Sequence, residues 1–483
     1  MQICRKDTLD LRLVLHIALR QRASDGQSDA AFRGSSAVAS TIAVDRCAGS
    51  VRPSATVVDA AMKRCPICLD DGGQPVARYA PMKTNKKTVA RLTAGKGVVP
   101  AKIVYLPQQK AAEAGSLSEA IVKACAKFER ALRKDDKDYL RALHLQAKKQ
   151  NLGFEPTVAK ALFTKHRSHF RNGAEIDVSK IKPVLRLADD DEWSDLFYVT
   201  RSLWSMPYNK GYGRRLRFVV YDEHHEGVIG VIGLQSPPAD LSARDSLFSF
   251  PESRKLELVN ATMDAFAVGA VPPYSYLLGG KLCAGLLATD AVRQAYWRQY
   301  AGKKTEMLDR GVLQPLAAIT TTSAFGRSSQ YNRLKHKERL LAEPIGYTMG
   351  YGTLHLEHLY QRICAYLKMV DRFTDGGFGN GPKVRWQNIT RALTSVGLPN
   401  SLLKHGVKRE VFLYRLVDGL DDGMAGGSFG APIALSSDDF GDFWKERWAL
   451  PRAARFPDWN RGDELALIAK TLNEWIPTKV APR

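Results

Sequence analysis

A polar segment at residues 326–332 carries side chains that can hold an anion. It follows an expected strand that ends at 320–323, and ligands of open α/β sheets gather where strand ends meet helix starts. The segment offers backbone amides, two serine hydroxyls and a guanidinium to one phosphate group. We therefore predict that Arg327, Gln330 and Asn332 line a ligand-binding face. The alternative is that Asn332 and the serines only cap a helix, which is their commonest use.

A second group of cations lies at residues 404–409, where three of six side chains are positively charged. Such side chains are difficult to bury without partners, so the run predicts a functional surface rather than a core segment. We assign the three cations to nucleic-acid binding: Lys404, Lys408 and Arg409.

The largest compositional signal is charge, since 71 basic residues against 50 acidic residues give a formal net charge of +21. No acidic residue lies between Asp71 and Glu113. Such a window neutralises phosphates and releases counterions, which gives sequence-independent affinity for DNA or RNA. The alternative is a solvated arm that keeps the protein soluble. The predicted phosphate contacts are Lys83, Lys86, Lys87, Arg91 and Lys96.

One cysteine pair has metal-ligand spacing. Cys65 and Cys68 form half of a zinc ribbon, because two thiolates three residues apart can bind one face of a tetrahedral ion. The second half is missing, so Cys4 and Cys47 or a distant histidine would have to complete a Zn²⁺ site. The alternative is an ordinary pair of free thiols.

One histidine pair, His355 and His358, is also three residues apart, on an expected helix or its start. Glu357 lies between them and faces elsewhere on a helix, because residues three apart share a face and their intermediate neighbours do not. This pair therefore favours structural histidines over a metal site.

Composition indicates a soluble globular protein, with 45% hydrophobic and 25% charged residues among 483. No run of about 18 consecutive apolar residues occurs, and charges interrupt residues 1–22, so the sequence predicts neither a membrane span nor a signal peptide. Seven scattered cysteines fit a reducing compartment. We expect a cytoplasmic protein with no membrane partner.

Length and local composition predict several units, at about 150 residues per domain. The expected regions are a weakly ordered leader with the cysteine pair at 1–75, a basic and mainly helical region at 76–188, a strand-rich core at 189–356, and a smaller helical and α/β region at 357–483.

Hydrophobic periodicity and end signals predict the individual elements. Strands alternate with single helices, which indicates an α/β or α+β domain. The expected elements are a helix from the capping box of Ser116 and Glu119 to Arg133, a helix opened by the acids at 189–192, a hairpin of 216–221 and 228–234, a helix at 282–300, a strand at 316–322, a helix from Ser328, and a strand at 345–354.

Three stretches of the chain resemble the DruA family of Druantia anti-phage proteins. They are the hairpin ending at 230–234 with Arg244 and Asp245 downstream, the segment 322–332, and the block from 392–393 through 403–412. The resemblance covers about residues 190–420. It implies a role in bacterial defence against phage beside helicase-like partners.

The order of hairpin, glycine-bearing turn, long helix, strand, short helix with a tyrosine and strand is similar to the GNAT acetyltransferase superfamily. This implies an α+β fold in which a mixed sheet is flanked by helices. Composition and periodicity add a basic helical N-terminal region and a smaller C-terminal region. The resemblance also implies that the turn of Gly279, Gly280 and Lys281 holds the pyrophosphate of acetyl-CoA, and that Tyr331 protonates a leaving thiolate.

The turn departs from the family pattern, since Tyr276 stands where arginine or glutamine belongs and Lys281 where a small residue belongs. A Gly-Gly pair also serves tight turns in general, and a tyrosine can simply pack on a sheet. Two functions therefore remain. One is a nucleic-acid-binding or sensing subunit of a defence complex, and the other is an acyl-CoA-dependent acyltransferase that modifies a phage or host macromolecule.

Overall fold

The computed structural model describes residues 105–149, 155–206, 211–305, 308–324, 326–376 and 384–474. Its strands are β1 (Pro183–Leu187), β2 (Arg215–Asp222), β3 (Gly227–Gln235), β4 (Thr262–Ala270), β5 (Ala318–Thr322), β6 (Lys335–His336), β7 (Arg339–Leu340), β8 (Glu343–Tyr347) and β9 (Glu410–Arg415). Seven of them form one sheet in the order β1-β2-β3-β4-β5-β9-β8, and β6 pairs with β7. All neighbours in the sheet are antiparallel except β4 and β5, which are parallel.

Helices flank this sheet, and three of them pack around a smaller core of their own. The helices are α1 (Pro107–Arg133), α2 (Lys137–Lys149), α3 (Pro156–Lys165), α4 (Asp191–Ser202), α5 (Ser242–Asp245), α6 (Lys255–Val259), α7 (Gly279–Leu286), α8 (Asp290–Tyr300), α9 (Tyr360–Met369), α10 (Val384–Ser395), α11 (Leu420–Met424), α12 (Ser437–Trp444), α13 (Leu450–Arg455) and α14 (Glu464–Glu474). A π-helical turn, Lys445–Ala449, joins α12 to α13. The predicted α+β class, with a mixed sheet flanked by helices, is confirmed.

The central hairpin forms because β2 and β3 are rich in β-branched residues, which pack well on a pleated surface. Val219 lies opposite Val231, and Phe218 lies opposite Ile232. Every residue of β3 is buried. The predicted strands at 216–221 and 228–234 are confirmed.

Alternating side chains of β2 supply two different cores, because successive residues of a strand face opposite sides of the sheet. Phe218 and Val220 pack in the core formed with α7, α8 and α12. Val219 and Tyr221 pack on the other face with α3, α4 and α14. A smaller core joins α1, α9 and α10.

The sheet takes strands from three of the regions expected from the sequence. β1 precedes residue 189 and β9 follows residue 356, yet both belong to the sheet that holds β2 to β5. Among the described residues, no helix combines the length and the apolar character that crossing a membrane requires.

The helix predicted from Ser116 begins earlier, at Pro107, and that predicted start is wrong. The amide of Leu106 donates to Oε1 of Gln109 at 3.0 Å, and proline is favourable at the first helical position. Ser116 lies within the helix, where its hydroxyl accepts a 2.7 Å hydrogen bond from Arg362. By contrast, Asp190 accepts from the amide of Trp193 and opens α4, as the acids at 189–192 predict.

The single helix predicted at 282–300 is also wrong, since α7 ends at Leu286 and α8 starts at Asp290. Asp290 is held by a distant segment: its amide donates to the carbonyl of Leu435 at 2.8 Å, and its carboxylate accepts from the Leu435 amide at 3.2 Å. This tertiary contact turns the chain between the two helices.

No helix follows Ser328, where the structure has turns instead. Arg333 adopts a left-handed φ of 56°, which a continuing α-helix excludes. The strand predicted at 345–354 is β8, which lies earlier and is shorter. Gly350, with φ of 64°, interrupts the extended conformation beyond it.

Candidate functional site

A cleft opens where the parallel strands β4 and β5 separate. They pair only over residues 262–265 and 318–321, and β4 then continues alone on that side to Ala270. The space between their carboxyl ends is a cleft of about 640 Å³, lined by β4, the end of β5, the start of α7 and residues 328–331. Ligands of α/β sheets gather at such strand ends.

The glycine turn at the start of α7 has two different roles. A Cβ on Gly279 would lie 2.7 Å from the carbonyl oxygen of Tyr274, so this glycine permits close packing. A Cβ on Gly280 would face Oε1 of Gln330 at 3.4 Å, on the cleft side. Lys281 also lines the cleft and donates to the carbonyl of Asn332 at 3.1 Å. The structure therefore brings Gly280, Lys281 and Gln330 together.

Tyr331 lies in the cleft wall, only 6% exposed. Its hydroxyl accepts from Oγ1 of Thr321 at 3.4 Å, and its ring packs on Phe412 at a centroid distance of 5.0 Å. Burial raises the pKa of Tyr331 to about 12, so the phenol keeps its proton at neutral pH. A protonated phenol in this position can donate to a ligand in the cleft.

Asp264 on β4 is a cleft residue that the sequence reasoning missed. Its carboxylate accepts from Gln235 at 3.1 Å and from Thr320 at 2.9 Å. Burial raises the pKa of Asp264. The available signal was one acid in the apolar sequence of residues 262–270, whose period was too mixed to separate helix from strand.

The cationic run at 404–409 divides between two environments. Lys404 and Lys408 are exposed and do not line the cleft. The Arg409 side chain is half-buried and does line it, and its Nε has no hydrogen-bond partner among the described residues. Burial lowers the pKa of this guanidinium. Arg409 therefore adds a positive charge to the cleft wall, and its unpartnered Nε is buried behind that wall.

A basic groove of about 1250 Å³ adjoins the cleft, and the two share Lys281 and Ser329 as lining residues. Its cations come from the start of α7, the turn after β5, the β6-β7 hairpin and the π-helical turn, while Glu338 is its one acidic lining residue. Within the described ranges, none of these cations forms an ion pair with a carboxylate. We define the basic groove by Lys281, Arg327, Arg333, Lys335, Lys337 and Arg447.

Of the predicted anion-binding side chains, Arg327 and Asn332 line the basic groove and Gln330 lines the cleft. Gln330 donates to the carbonyl of Val268 at 3.1 Å, which fixes its amide. The segment at 326–332 therefore connects the two sites. Outside the described residues lie Cys65, Cys68, Lys83, Lys86, Lys87, Arg91 and Lys96, as does the region 1–75.

Comparison with known proteins identifies the family. A family model described as Druantia protein DruA matches residues 134–426. A curated Druantia protein DruA from Escherichia coli (strain UMEA 4076-1) is 36% identical over 353 residues, which cover 71% of this chain and 87% of that protein. No solved structure shows a significant match. The chain therefore belongs to the Druantia protein DruA family.

Proposed function

We propose that this component of the Druantia anti-phage defence system binds nucleic acid along the basic groove. The observation that carries the proposal is the set of six cations around one groove, none of them paired with a carboxylate among the described residues. Phosphate contacts by lysine and arginine supply most sequence-independent affinity for nucleic acid, and cations without a carboxylate partner break no ion pair when they bind phosphate.

Aromatic side chains in the groove support the same function. Trp448 and Phe443 line it beside Arg447, with ring centroids 5.6 Å apart and planes at 88°. Lys281 places its ammonium 5.5 Å from the Trp448 ring centroid. Cations beside partly exposed aromatic rings are the usual means by which proteins hold unpaired bases and their phosphates.

Duplex and single-stranded DNA and RNA binding, measured by fluorescence anisotropy at several salt concentrations, tests the groove. The test variant replaces Arg327, Lys335, Lys337 and Arg447 with alanine. The matched control replaces four exposed lysines elsewhere, Lys123, Lys134, Lys160 and Lys470, and so removes the same charge.

We expect the groove variant to reduce the slope of log K against log salt by about 3 to 4, at about 0.9 per lost phosphate contact. The control should retain most of the slope. Equal changes in the two variants, or none in either, would show that binding lies elsewhere. Removing residues 72–112 tests the acid-free window separately, because none of these residues lines the groove.

A second candidate function, acyl-CoA-dependent acyl transfer, is favoured by the cleft itself. A sheet whose single parallel pair separates beside the Gly-Gly start of α7 supports a GNAT-like fold. The order of the elements agrees with that resemblance except that two helices replace the one long helix and that no helix follows Ser328. The phenol of Tyr331 is protonated, and the residue lies in the cleft wall. In this function, the defence partners that we expect, a helicase among them, would act beside a modifying enzyme.

Calorimetric titration with acetyl-CoA separates the two functions. Gly280→Val narrows the cleft near Gln330, whereas Gly115→Ala adds a methyl group with no heavy atom within 4 Å. Acetyl-CoA binding that is lost in Gly280→Val and kept in Gly115→Ala would support acyl transfer. If the parent protein binds no acetyl-CoA but does bind nucleic acid in a salt-sensitive way, only the nucleic-acid-binding function is supported.

A further inference from the structure

Two histidines and a glutamate converge where α3 meets α4, on residues that belong to neither the cleft nor the basic groove. His166 follows α3 directly, His169 ends the 3-10 turn Arg167–His169, and Glu192 lies in the first turn of α4. One ligand atom from each of the three lies within 4.8 Å of the others. His166 is buried, while the Glu192 side chain is half exposed.

The distances fit a small metal ion. Nδ1 of His166 lies 4.0 Å from Oε1 of Glu192, and Nε2 of His169 lies 3.1 Å from the same oxygen. Bonds of about 2 Å at tetrahedral angles place neighbouring ligand atoms about 3.3 Å apart. Small side-chain adjustments therefore suffice to bring all three atoms into one coordination sphere.

The other ring nitrogen of each histidine already has a partner. Nε2 of His166 lies 3.0 Å from Oδ2 of Asp195, and Nδ1 of His169 lies 3.1 Å from the hydroxyl of Tyr221. A histidine that binds a metal characteristically donates its second ring N–H to a carboxylate or another acceptor, which fixes the tautomer. These partners leave Nδ1 of His166 and Nε2 of His169 for the ion.

We propose that His166, His169 and Glu192 bind one divalent transition-metal ion of the zinc type, with Asp195 and Tyr221 as positioning residues. Two imidazoles and a carboxylate are a common Zn²⁺ ligand set, and a water molecule completes the fourth position on the exposed Glu192 side. The ammonium of Lys165 does not oppose the ion directly, because it is paired with Asp195 at 3.0 Å. The ion joins the C-terminal end of α3 to the first turn of α4.

The full-length chain with Cys65→Ser and Cys68→Ser is the parent for the test, since it lacks the cysteine pair with metal-ligand spacing. After treatment with a chelator and its removal, Zn²⁺ is titrated by competition calorimetry and Co²⁺ by visible absorption. We expect one equivalent of Zn²⁺ and a cobalt spectrum without a thiolate charge-transfer band.

His169→Ala and Glu192→Gln should each abolish the stoichiometric site, and Asp195→Asn should weaken it by about 10- to 100-fold, the usual effect of losing a partner of a metal-binding histidine. His224→Ala, at an exposed histidine, is the control and should bind as the parent does. Glu192 is exposed, so Glu192→Gln keeps the test valid even if a histidine variant unfolds. Zn²⁺ binding by Glu192→Gln equal to that of the parent would overturn the proposal, as would a parent that binds no ion.

Discussion

The imidazole rings of His355 and His405 lie 5.9 Å apart between centroids, and the ring of Phe128 packs on both, at 5.3 and 6.0 Å. This contact joins α1 to the segments before α9 and β9. Burial lowers the pKa of each histidine to about 4, so both rings are neutral in the folded protein at neutral pH.

Stability should fall in mild acid because of these histidines. An unfolded histidine titrates near 6.5, so the folded state binds fewer protons between about pH 6.5 and 4. The contribution of the neutral histidines to the free energy of unfolding is complete above pH 6.5 and is lost as the pH falls toward 4. For His355 alone, the largest loss is about 3 kcal/mol. Urea unfolding from pH 7.5 to 4.5 measures it. His405→Asn should lose less stability over this range than the parent or His224→Asn, and parallel losses in all three would contradict the assignment.

Arg327→Ala should weaken nucleic-acid binding by about 1 to 3 kcal/mol, the scale for losing a charged hydrogen bond. The guanidinium is exposed in the basic groove and has no carboxylate partner among the described residues, so the unfolding midpoint should hardly change. Anisotropy and urea unfolding measure the two effects. Binding and phage protection equal to those of the parent would instead identify residues 326–332 as a turn without a ligand.

Arg409 should behave differently from the two lysines of its run. A half-buried guanidinium with an unpaired Nε destabilises the folded state, so Arg409→Met should preserve or slightly raise stability while phage protection falls. Lys404→Ala with Lys408→Ala is the comparison, and exposed changes of this kind alter stability by less than about 0.5 kcal/mol. Melting curves measure the effect on stability, and plaque counts measure the effect on phage protection. A large loss of stability in Arg409→Met would mean that the side chain supports the fold.

Gly285→Ala should be among the most destabilising single-methyl changes in the chain. The added Cβ would overlap the Phe440 ring, where α7 packs against α12. Overpacking of this kind costs about 1 to 3 kcal/mol or more. Gly115→Ala, in α1 with open space around the added methyl group, should instead stabilise by up to about 1 kcal/mol. Denaturant unfolding compares them, and similar values for both would contradict the close packing of α7 and α12.

Local signals predicted the elements whose causes are local. The β-branched residues of β2 and β3 and the cap at Asp190 lie within the elements that they form. The break before α8 depends on Leu435, which lies 145 positions away, so no window of sequence around Asp290 contains its cause.

The two histidine pairs illustrate the same limit at the level of a site. His355 and His358 share the spacing of His166 and His169, yet Nε2 of His355 lies 2.9 Å from the carbonyl oxygen of Leu402. Only tertiary structure brings Glu192 to the other pair. The cleft shows the same limit. The end of a strand near residue 323 was enough to predict a ligand-binding edge from the sequence. Asp264 lies at that edge only because β4 pairs in parallel with β5, which the local sequence does not indicate.

The position of β9 between β5 and β8 has a consequence for synthesis on the ribosome. β5 ends at Thr322 and β9 ends at Arg415, so the β5 edge lacks its neighbour while about 90 more residues are added, roughly 5 to 20 seconds at ordinary rates of elongation. An unpaired strand edge is a template for association with other chains. The yield of folded protein therefore depends on what covers that edge while translation continues.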